Sequence, residues 1–409
     1  MFARVLLLTA CVVAVTCLPC RGASWDFREI IVDEQPLQPD RVADIQIVDI
    51  NGDGRLDLWC GGAKIAPDEC KSAWYERQGD AWVRHTPFPG PSFGGNWGDL
   101  DGDGDLDLIT GQDRNGMRTG NHALVWLENP LAGGGDPAGD TWAVHQIHRD
   151  PADPDQLLTG FIDPNGRCVR KLDLNRDGRL DIVIAAFSQT LWYLPGPEDP
   201  KKGPWRFFKI AENARTQGGA AIGDLDGDAD LDIVWGHFWY ENPGSPSVIP
   251  WRRHIVDPDW PNDCRVALGD LNKDGRLDVV LTGQTSSHGL VWYANPVRDY
   301  RRPWRKSAIL SGWQGLHSCQ LADFDNDGDL DVFTAEMRGS GQQRVAIVEN
   351  VDIHLSQWQP HILSTAGSHN AMVADLNGDG APDIAGKNLE GDIRPRIWFN
   401  PNTKCRTSQ

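Results

Sequence analysis

Positive charge is scarce in this sequence. Lys and Arg number 39 against 58 Asp and Glu, a net charge of -19 over 409 residues. That argues against the basic footprint that nucleic acid and anionic lipid require of a partner. Sustained helical periodicity is also missing after the leader region. Beyond residue 15 no apolar run is long enough to span a bilayer. No nucleophile motif, phosphate-cradling loop or zinc-ligand spacing occurs. The chain is nonetheless of globular composition, with 40% hydrophobic and 24% charged residues.

Arg4, an apolar run over 5–15 and a small-residue exit before Ser24 read as a secretory leader over residues 1–23. The expectation is export, to a periplasm, the extracellular space or the cell surface. What the sequence has in abundance is glycine, 44 residues, and tryptophan, 18. Glycine suits many tight turns. The tryptophans need a structural reason.

Repeats supply it. A nine-residue pattern, Asp-x-Asp/Asn-x-Asp-Gly-x-x-Asp, starts at Asp49, Asp99, Asp173, Asp224, Asp270, Asp323 and Asp375. A Trp heads a short strand-like run at Trp25, Trp82, Trp142, Trp205, Trp251, Trp304 and Trp358. Between them recurs a Trp-Tyr-Glu-Asn-Pro element, as in Trp239-Tyr240-Glu241-Asn242-Pro243. Its Asn-Pro ends a strand, since Pro donates no ladder hydrogen bond. Each unit of about 50 residues thus holds about four short strands, the size of a propeller blade. The spacing predicts an all-β, seven-bladed β-propeller of four-stranded antiparallel blades over residues 24–402, with a short tail at 403–409. Trp25 precedes the first Asp loop, and the last loop has no Trp strand after it. The N-terminal strand over 25–31 is therefore expected to pair near residues 396–400, completing the last blade and closing the ring. The tryptophans are expected to pack between blades.

Positions 1, 3, 5 and 9 of each loop offer side-chain oxygens around one point, as a hard divalent cation requires. In order these are Asp49, Asn51, Asp53 and Asp57; Asp99, Asp101, Asp103 and Asp107; Asp173, Asn175, Asp177 and Asp181. Then follow Asp224, Asp226, Asp228 and Asp232; Asp270, Asn272, Asp274 and Asp278. The last two sets are Asp323, Asp325, Asp327 and Asp331, and Asp375, Asn377, Asp379 and Asp383. Position 7 is Arg, Asp or Ala, so it is expected to give only a backbone carbonyl. An EF-hand would need Glu at position 12, where this chain has Cys60, Thr110, Ile184, Trp235, Leu281, Thr334 and Gly386. Oxygen-only donors select calcium over zinc or copper, and magnesium keeps more water. Up to seven Ca2+ are expected, which makes much of the acidity ligand charge.

These loops resemble the FG-GAP, or VCBS-type, repeats of seven-bladed propellers, including the integrin alpha-subunit head. The resemblance spans about residues 25–401 and implies calcium in the hairpins on one face of the disc. Two positions depart from the pattern. Ala229 replaces Gly in loop four, expected to weaken it, and Pro382 stands at position 8 of loop seven.

The opposite face, by resemblance, is where propellers bind partners. Candidate ligand residues there are Arg167, His317 and His369, each six residues before an Asp loop, with Asn370 and His288. His317 and His369 fall in neighbouring blades and can meet at the channel mouth; two histidines without a third ligand also fit ordinary loop-end residues. Cys60 and Cys70 flank one loop and are placed to form a disulfide, whereas Cys168, Cys264 and Cys319 read as buried thiols. Two functions follow. One is a non-catalytic binding or scaffold module for protein or glycan ligands. The other is a propeller enzyme, such as a sugar lyase or dehydratase, with its site at the channel mouth. The Trp-Tyr-Glu-Asn-Pro strands are similar to those of aldos-2-ulose dehydratases, whose cupin-like portion has no counterpart in these residues. Oligomeric state is not legible.

Overall fold

A computed structural model of the chain describes residues 23–35, 42–62, 72–89, 93–113, 122–148, 160–161, 172–186, 190–212, 219–260, 264–283, 288–296, 300, 304–337, 339–352 and 354–402. The expected leader, apart from Ala23, and the expected tail lie outside these residues.

The described residues contain strands and no helix, so none of them forms a helix able to cross a membrane. The strands form seven four-stranded sheets, antiparallel throughout in the pairings observed. Blade one runs outward through Val42–Val48, Asp57–Gly62, Ala73–Gln78 and Ala81–His85. Blade two is Phe93–Gly98, Asp107–Asp113, His122–Glu128 and Ala143–His148, and blade three is Gly160–Phe161, Ile182–Ala186, Leu191–Leu194 and Phe208–Ala211. Blade four is Ala220–Gly223, Asp232–Trp235, Phe238–Glu241 and Arg252–Ile255; blade five is Val266–Gly269, Asp278–Thr282, Leu290–Ala294 and Arg305–Leu310. Blade six is Leu316–Ala322, Asp331–Glu336, Val345–Asn350 and Trp358–Ser364. Blade seven takes Met372–Ala374, Asp383–Gly386 and Arg396–Phe399 from the C-terminal end and Arg28–Ile31 from the N-terminal end.

That last pairing is in register from Arg28 opposite Phe399 to Ile31 opposite Arg396. The buried Arg396 guanidinium pairs with Glu29, and the Trp398 indole donates to the other Glu29 oxygen at 3.0 Å. The strand begins at Arg28, later than its Trp, because Trp25 leaves the ladder and stacks on His361 of blade six, 4.0 Å between ring centres. The inner strands of blades one and seven also lie against each other, as do those of blades four to seven in turn.

The core lies between blades, where each sheet's apolar face meets the next. Trp59 shows how close the fit is. Its ring meets Trp97 of blade two edge-on at 6.2 Å. A Cβ on either Gly61 or Gly95 would come within 2.5 Å of that ring, so only glycine lets the two backbones close around it. Other indoles anchor through their N–H: Trp142 donates to Pro137 O and Trp251 to Pro246 O, each at 3.0 Å.

The Asn of the Trp-Tyr-Glu-Asn-Pro element does more than end a strand. Asn295 Nδ2 donates to Leu277 O of its own blade and to Leu225 O of the preceding blade, at 2.9 and 2.8 Å. Asn129 does the same to Leu106 O and Ile50 O, and Asn400 to Pro382 O and Phe324 O. A buried amide thus clips each of these blades to its neighbour beside the Asp loop.

One expectation fails. Cys60 is a buried free thiol, so no Cys60–Cys70 disulfide forms; the inward turn of this strand position takes Cys60 into the core. Burial pushes its pKa up to about 12. Cys264 and Cys319 are buried, as expected, while Cys70 and Cys168 lie outside the described residues.

Deleting residues 24–32 exposes the edge of blade seven and strips Trp398 and Arg396 of partners, and is expected to cost ~3 kcal/mol or more in chemical denaturation. A midpoint unchanged from the full chain would contradict this placement. Asn400→Ala removes a clip and strands two carbonyls, for an expected loss of about 1–3 kcal/mol in the same measurement.

Candidate functional site

Two places on the disc gather chemistry. The first is the set of Asp loops joining the first and second strands of each blade. The Asp at position 9 opens the second strand and is at most 1% exposed in all seven blades. In six of the seven blades, blade five excepted, one of its oxygens accepts the N–H of position 2, as from Ile50 to Asp57 at 3.2 Å and Leu174 to Asp181 at 2.8 Å. The other accepts the N–H at the end of the third strand, as from Arg77 to Asp57 and Asn400 to Asp383 at 2.9 and 2.8 Å. The residue at position 2 is apolar, and Ile50, Leu225, Phe324 and Leu376 are at most 1% exposed, which pins the hairpin from below.

The remaining acidic oxygens curl around the turn. Asp49 accepts the N–H groups of Asp53 and Gly54 at 3.2 and 3.0 Å, and Asn51 Oδ1 accepts that of Asp53 at 3.2 Å. Position 6 has a positive φ, 81° at Gly54 and 83° at Gly178. Ala229 adopts the same turn at φ 74°, and its N–H reaches Asp224 at 2.9 Å, so loop four keeps the loop geometry despite its missing glycine. A side chain at positive φ costs about 1–2 kcal/mol.

Burial pushes the position-9 carboxyls up: Asp57, Asp232 and Asp383 to about 7, Asp107 and Asp331 to about 8. Carboxylates crowded at one turn, some of them buried, fit a hard divalent cation, which offers the charge that burial and mutual repulsion demand. Within loop two, Asp99, Asp101 and Asp107 each bring an oxygen within 4.8 Å of the others; Asp224, Asp226 and Asp232 do so in loop four, and Asp323, Asp325 and Asp327 in loop six.

A feature the sequence reading missed surrounds these loops. The Glu of the third strand turns toward position 3: Asn51 Nδ2 donates to Glu76 at 3.2 Å, and Lys201 Nζ bridges Asp101 and Glu128, 2.8 Å from each. Each such Glu is held by a histidine from the fourth strand. The pairs are Glu76–His85 at 2.9 Å, Glu128–His145 and Glu241–His254 at 2.6 Å, and Glu349–His361 at 2.5 Å. The ring of each histidine lies against a Trp, as His254 does on Trp239 at 4.1 Å. The Trp-x-x-His run was visible in the sequence; its cross-strand Glu partner was not, since register alone brings them together.

The second place is the opposite mouth of the channel, before the inner strands of blades five to seven. His317 and His369 do meet, stacked with ring centres 4.0 Å apart. Asn370, at φ 56°, turns its Oδ1 to 3.2 Å from His317 Nδ1. Arg265 joins them: its Nη2 lies 2.9 Å from His317 Nδ1 and donates to Asn370 Oδ1 at 3.1 Å. All four are buried. Burial, then the charges of Arg265 and His369, holds the His317 imidazole well below its ordinary pKa and therefore neutral. Lys387 of blade seven is buried nearby: His369 N donates to its carbonyl at 2.7 Å. Burial brings its amine down to about 8 against the opposing pull of Asp44.

Arg265 escaped the sequence scan for a structural reason. It stands five residues before its Asp loop, whereas His317 stands six before. A register shift between Leu316 and Ser318 absorbs that extra residue. His288 stands outside this buried group, exposed and 5.3 Å from the ring of Trp260. Arg167 lies outside the described residues. Deeper in the disc, the inner strands of blades four to seven line a cavity of about 380 Å³ that includes Ala221, Ala267, Cys319, Gln320 and Val373.

Comparison with known proteins agrees with this architecture. No curated protein sequence matches the chain. Among solved structures, rhamnogalacturonan lyase YesW is similar at a TM-score of 0.51 and 12% identity, over 94% of this chain and 77% of that chain. YCF48 from Cyanidioschyzon merolae is similar at 0.50 and 13%, over 91% and 98%. BBS1N, solved in complex with ARL6DN, is similar at 0.51 and 11%, over 94% and 98%. At such identities the likeness is one of fold. The FG-GAP-like repeat pattern matches residues 49–110, 173–235, 270–334 and 323–386, more than half of the chain. With seven blades, each carrying an Asp loop between its first two strands, the chain belongs to the FG-GAP-like repeat family.

Proposed function

We propose that this protein is an exported calcium-binding propeller that acts as a binding module, with its ligand held at the channel mouth opposite the Asp loops. The observation that carries the ligand site is the convergence of Arg265, His317, His369 and Asn370 from three blades. Collecting a guanidinium and two imidazoles in a buried place is costly for packing alone. In a chain of net charge -19 it makes a local cationic, hydrogen-bonding spot. Its chemistry suits a carboxylate- and hydroxyl-bearing ligand, a glycan or an acidic protein side chain, which a guanidinium grips through parallel N–H donors.

Calcium belongs to the other face and to stability. The 28 side chains at positions 1, 3, 5 and 9 are all Asp or Asn. Each loop presents its oxygens to a cation only when its hairpin is folded, so calcium stabilises the native ring by mass action.

A catalytic reading is favoured by one feature, the neutral imidazole of His317 beside the Arg265 guanidinium. A neutral imidazole can take a proton, and a guanidinium can neutralise a carboxylate on the same sugar ring, which is the pairing a β-eliminating lyase or a dehydratase requires. A glycan array together with a lyase assay following the ultraviolet absorbance of unsaturated products separates the two readings. Binding without product supports the module, and turnover supports the enzyme. Neither binding nor turnover over a broad set of acidic glycans and acidic peptides refutes the site.

Two outcomes are expected. Chelation lowers the melting temperature sharply and magnesium restores it poorly; each site contributes ~1.4–2.7 kcal/mol at ten to a hundred times its dissociation constant. A melting curve unmoved by excess chelator, with calcium absent by elemental analysis, rejects the metal reading. His369→Gln keeps a polar ring-sized group, and is expected to weaken ligand binding about tenfold or more while leaving the melting temperature within a few degrees. Unchanged affinity removes the histidine pair from the site.

A further inference from the structure

The seven loops are not alike, and their differences follow the ring. Loops two, four and six carry Asp at positions 1, 3, 5, 7 and 9, and a third-strand Glu adds a sixth carboxylate to each. Loops three and five carry Asn at position 3, Arg at position 7 and no such Glu. There the Arg turns back on its own loop: Arg179 pairs with Asp177, and Arg276 with Asp274. Loop one has the same internal pair, Arg55 on Asp53 at 2.5 Å, and loop seven has Asn377 and Ala381.

Loops two, four and six are also the ones in which three carboxylates converge among the described residues. An independent observation points to a cation site there. Asp105 and Asp230, at position 7 of loops two and four, are only 7% and 8% exposed, yet one oxygen of each has no hydrogen-bond partner. Each carboxyl stands within hydrogen-bonding reach of the position-5 carboxyl, Asp103 or Asp228. A buried anionic oxygen facing another anion is costly unless positive charge stands between them. Neighbouring blades already lend such charge: Lys201 reaches Asp101 of loop two, and Lys273 reaches Asp329 of loop six.

We propose that the ring holds two classes of divalent-cation site, a tight class in loops two, four and six and a weak class in the other four. The proposal rests on the calcium reading above and deepens it. Affinity at oxygen-ligand sites follows the number of charged ligands. In loops one, three and five a guanidinium, two residues from the position-5 carboxylate and tethered to the same turn, competes with the cation at high effective concentration. Lys201 and Lys273 are 40% and 47% exposed and come from other blades, so a divalent ion displaces them into solvent at little cost. Loop four belongs to the tight class because Ala229 keeps the glycine turn.

The test is a calcium titration of the full, chelator-stripped protein by calorimetry, with the ions counted by native mass spectrometry. Three equivalents are expected to bind first, with a dissociation constant about tenfold or more below that of the rest. Asp105→Asn with Asp230→Asn is expected to reduce the tight count from three to one while leaving the total able to fill at high calcium. Arg179→Gln with Arg276→Gln, both surface changes, is expected to tighten two of the weak sites about tenfold. Seven equivalent sites, or weak sites that do not respond to loss of the arginines, overturn the two classes and leave the calcium reading standing. A folded protein that takes up no calcium overturns both.

Discussion

The carboxylate that closes each Asp loop holds the rest of the blade in place. It is buried at the root of the hairpin, and in six of the seven blades its two oxygens tie together backbone from two different turns. One receives the loop's own N–H, and the other the N–H that ends the third strand, as Asn242 does to Asp232 at 2.8 Å. Charge-assisted hydrogen bonds of this kind are worth about 1.5–3 kcal/mol each, and the cost of burying the anion is met only while both are made. The residue that supplies the second N–H is, in several blades, the Asn whose amide reaches the preceding blade. Loop, strand and neighbouring blade are therefore fixed by one connected set of polar groups. Because each carboxylate oxygen has lone pairs to spare after accepting one N–H, the same group can scaffold the hairpin and face a cation.

Most of the fold was legible because its determinants are local and repeated. The Asp loops, the Trp strands and the Asn-Pro stops recur at nearly constant spacing, and a repeat that cannot bury its own apolar face must stack. The order of elements was enough to send residues 28–31 to blade seven. What remained hidden depends on register. Glu241 and His254 lie 13 residues apart and meet only because Trp239 and His254 are opposite one another across two strands. Arg265 and His317 share a place only because a bulge shifts one strand by a residue. Cys60 was read as a loop-edge cysteine, but the strand carries on through Gly62 and turns it into the core.

Net charge takes on a different meaning once it is placed. The excess of acid is concentrated at one face, where Asp loops, flanking Glu and borrowed Lys or Arg form a continuous electrostatic belt across blades. The opposite mouth carries buried cations, Arg265 among the imidazole of His317 and the amide of Asn370, and Lys387 opposed by the buried Asp44. Between the two faces the cavity is lined by small and apolar inner-strand residues, together with Gln320.

In a ring of repeats, the residues found in nearly every blade answer a demand that every blade makes. The position-9 Asp, the Asn clip and the packed Trp belong to this class, and their chemistry is accounted for by hairpins and stacking. Residues found in one blade alone answer a demand made once. Arg265, His317 and the His369–Asn370 pair come close to this second kind: three neighbouring blades supply them, whereas the position six before the loop is Ala43, Phe93 and Gly218 in blades one, two and four, and all turn to a single point. Polar groups that converge across three blades go beyond what the scaffold asks, because blades one, two and four carry no His or Arg six residues before their loops. That asymmetry, more than any single distance, is what singles out the channel mouth as the site proposed for a ligand.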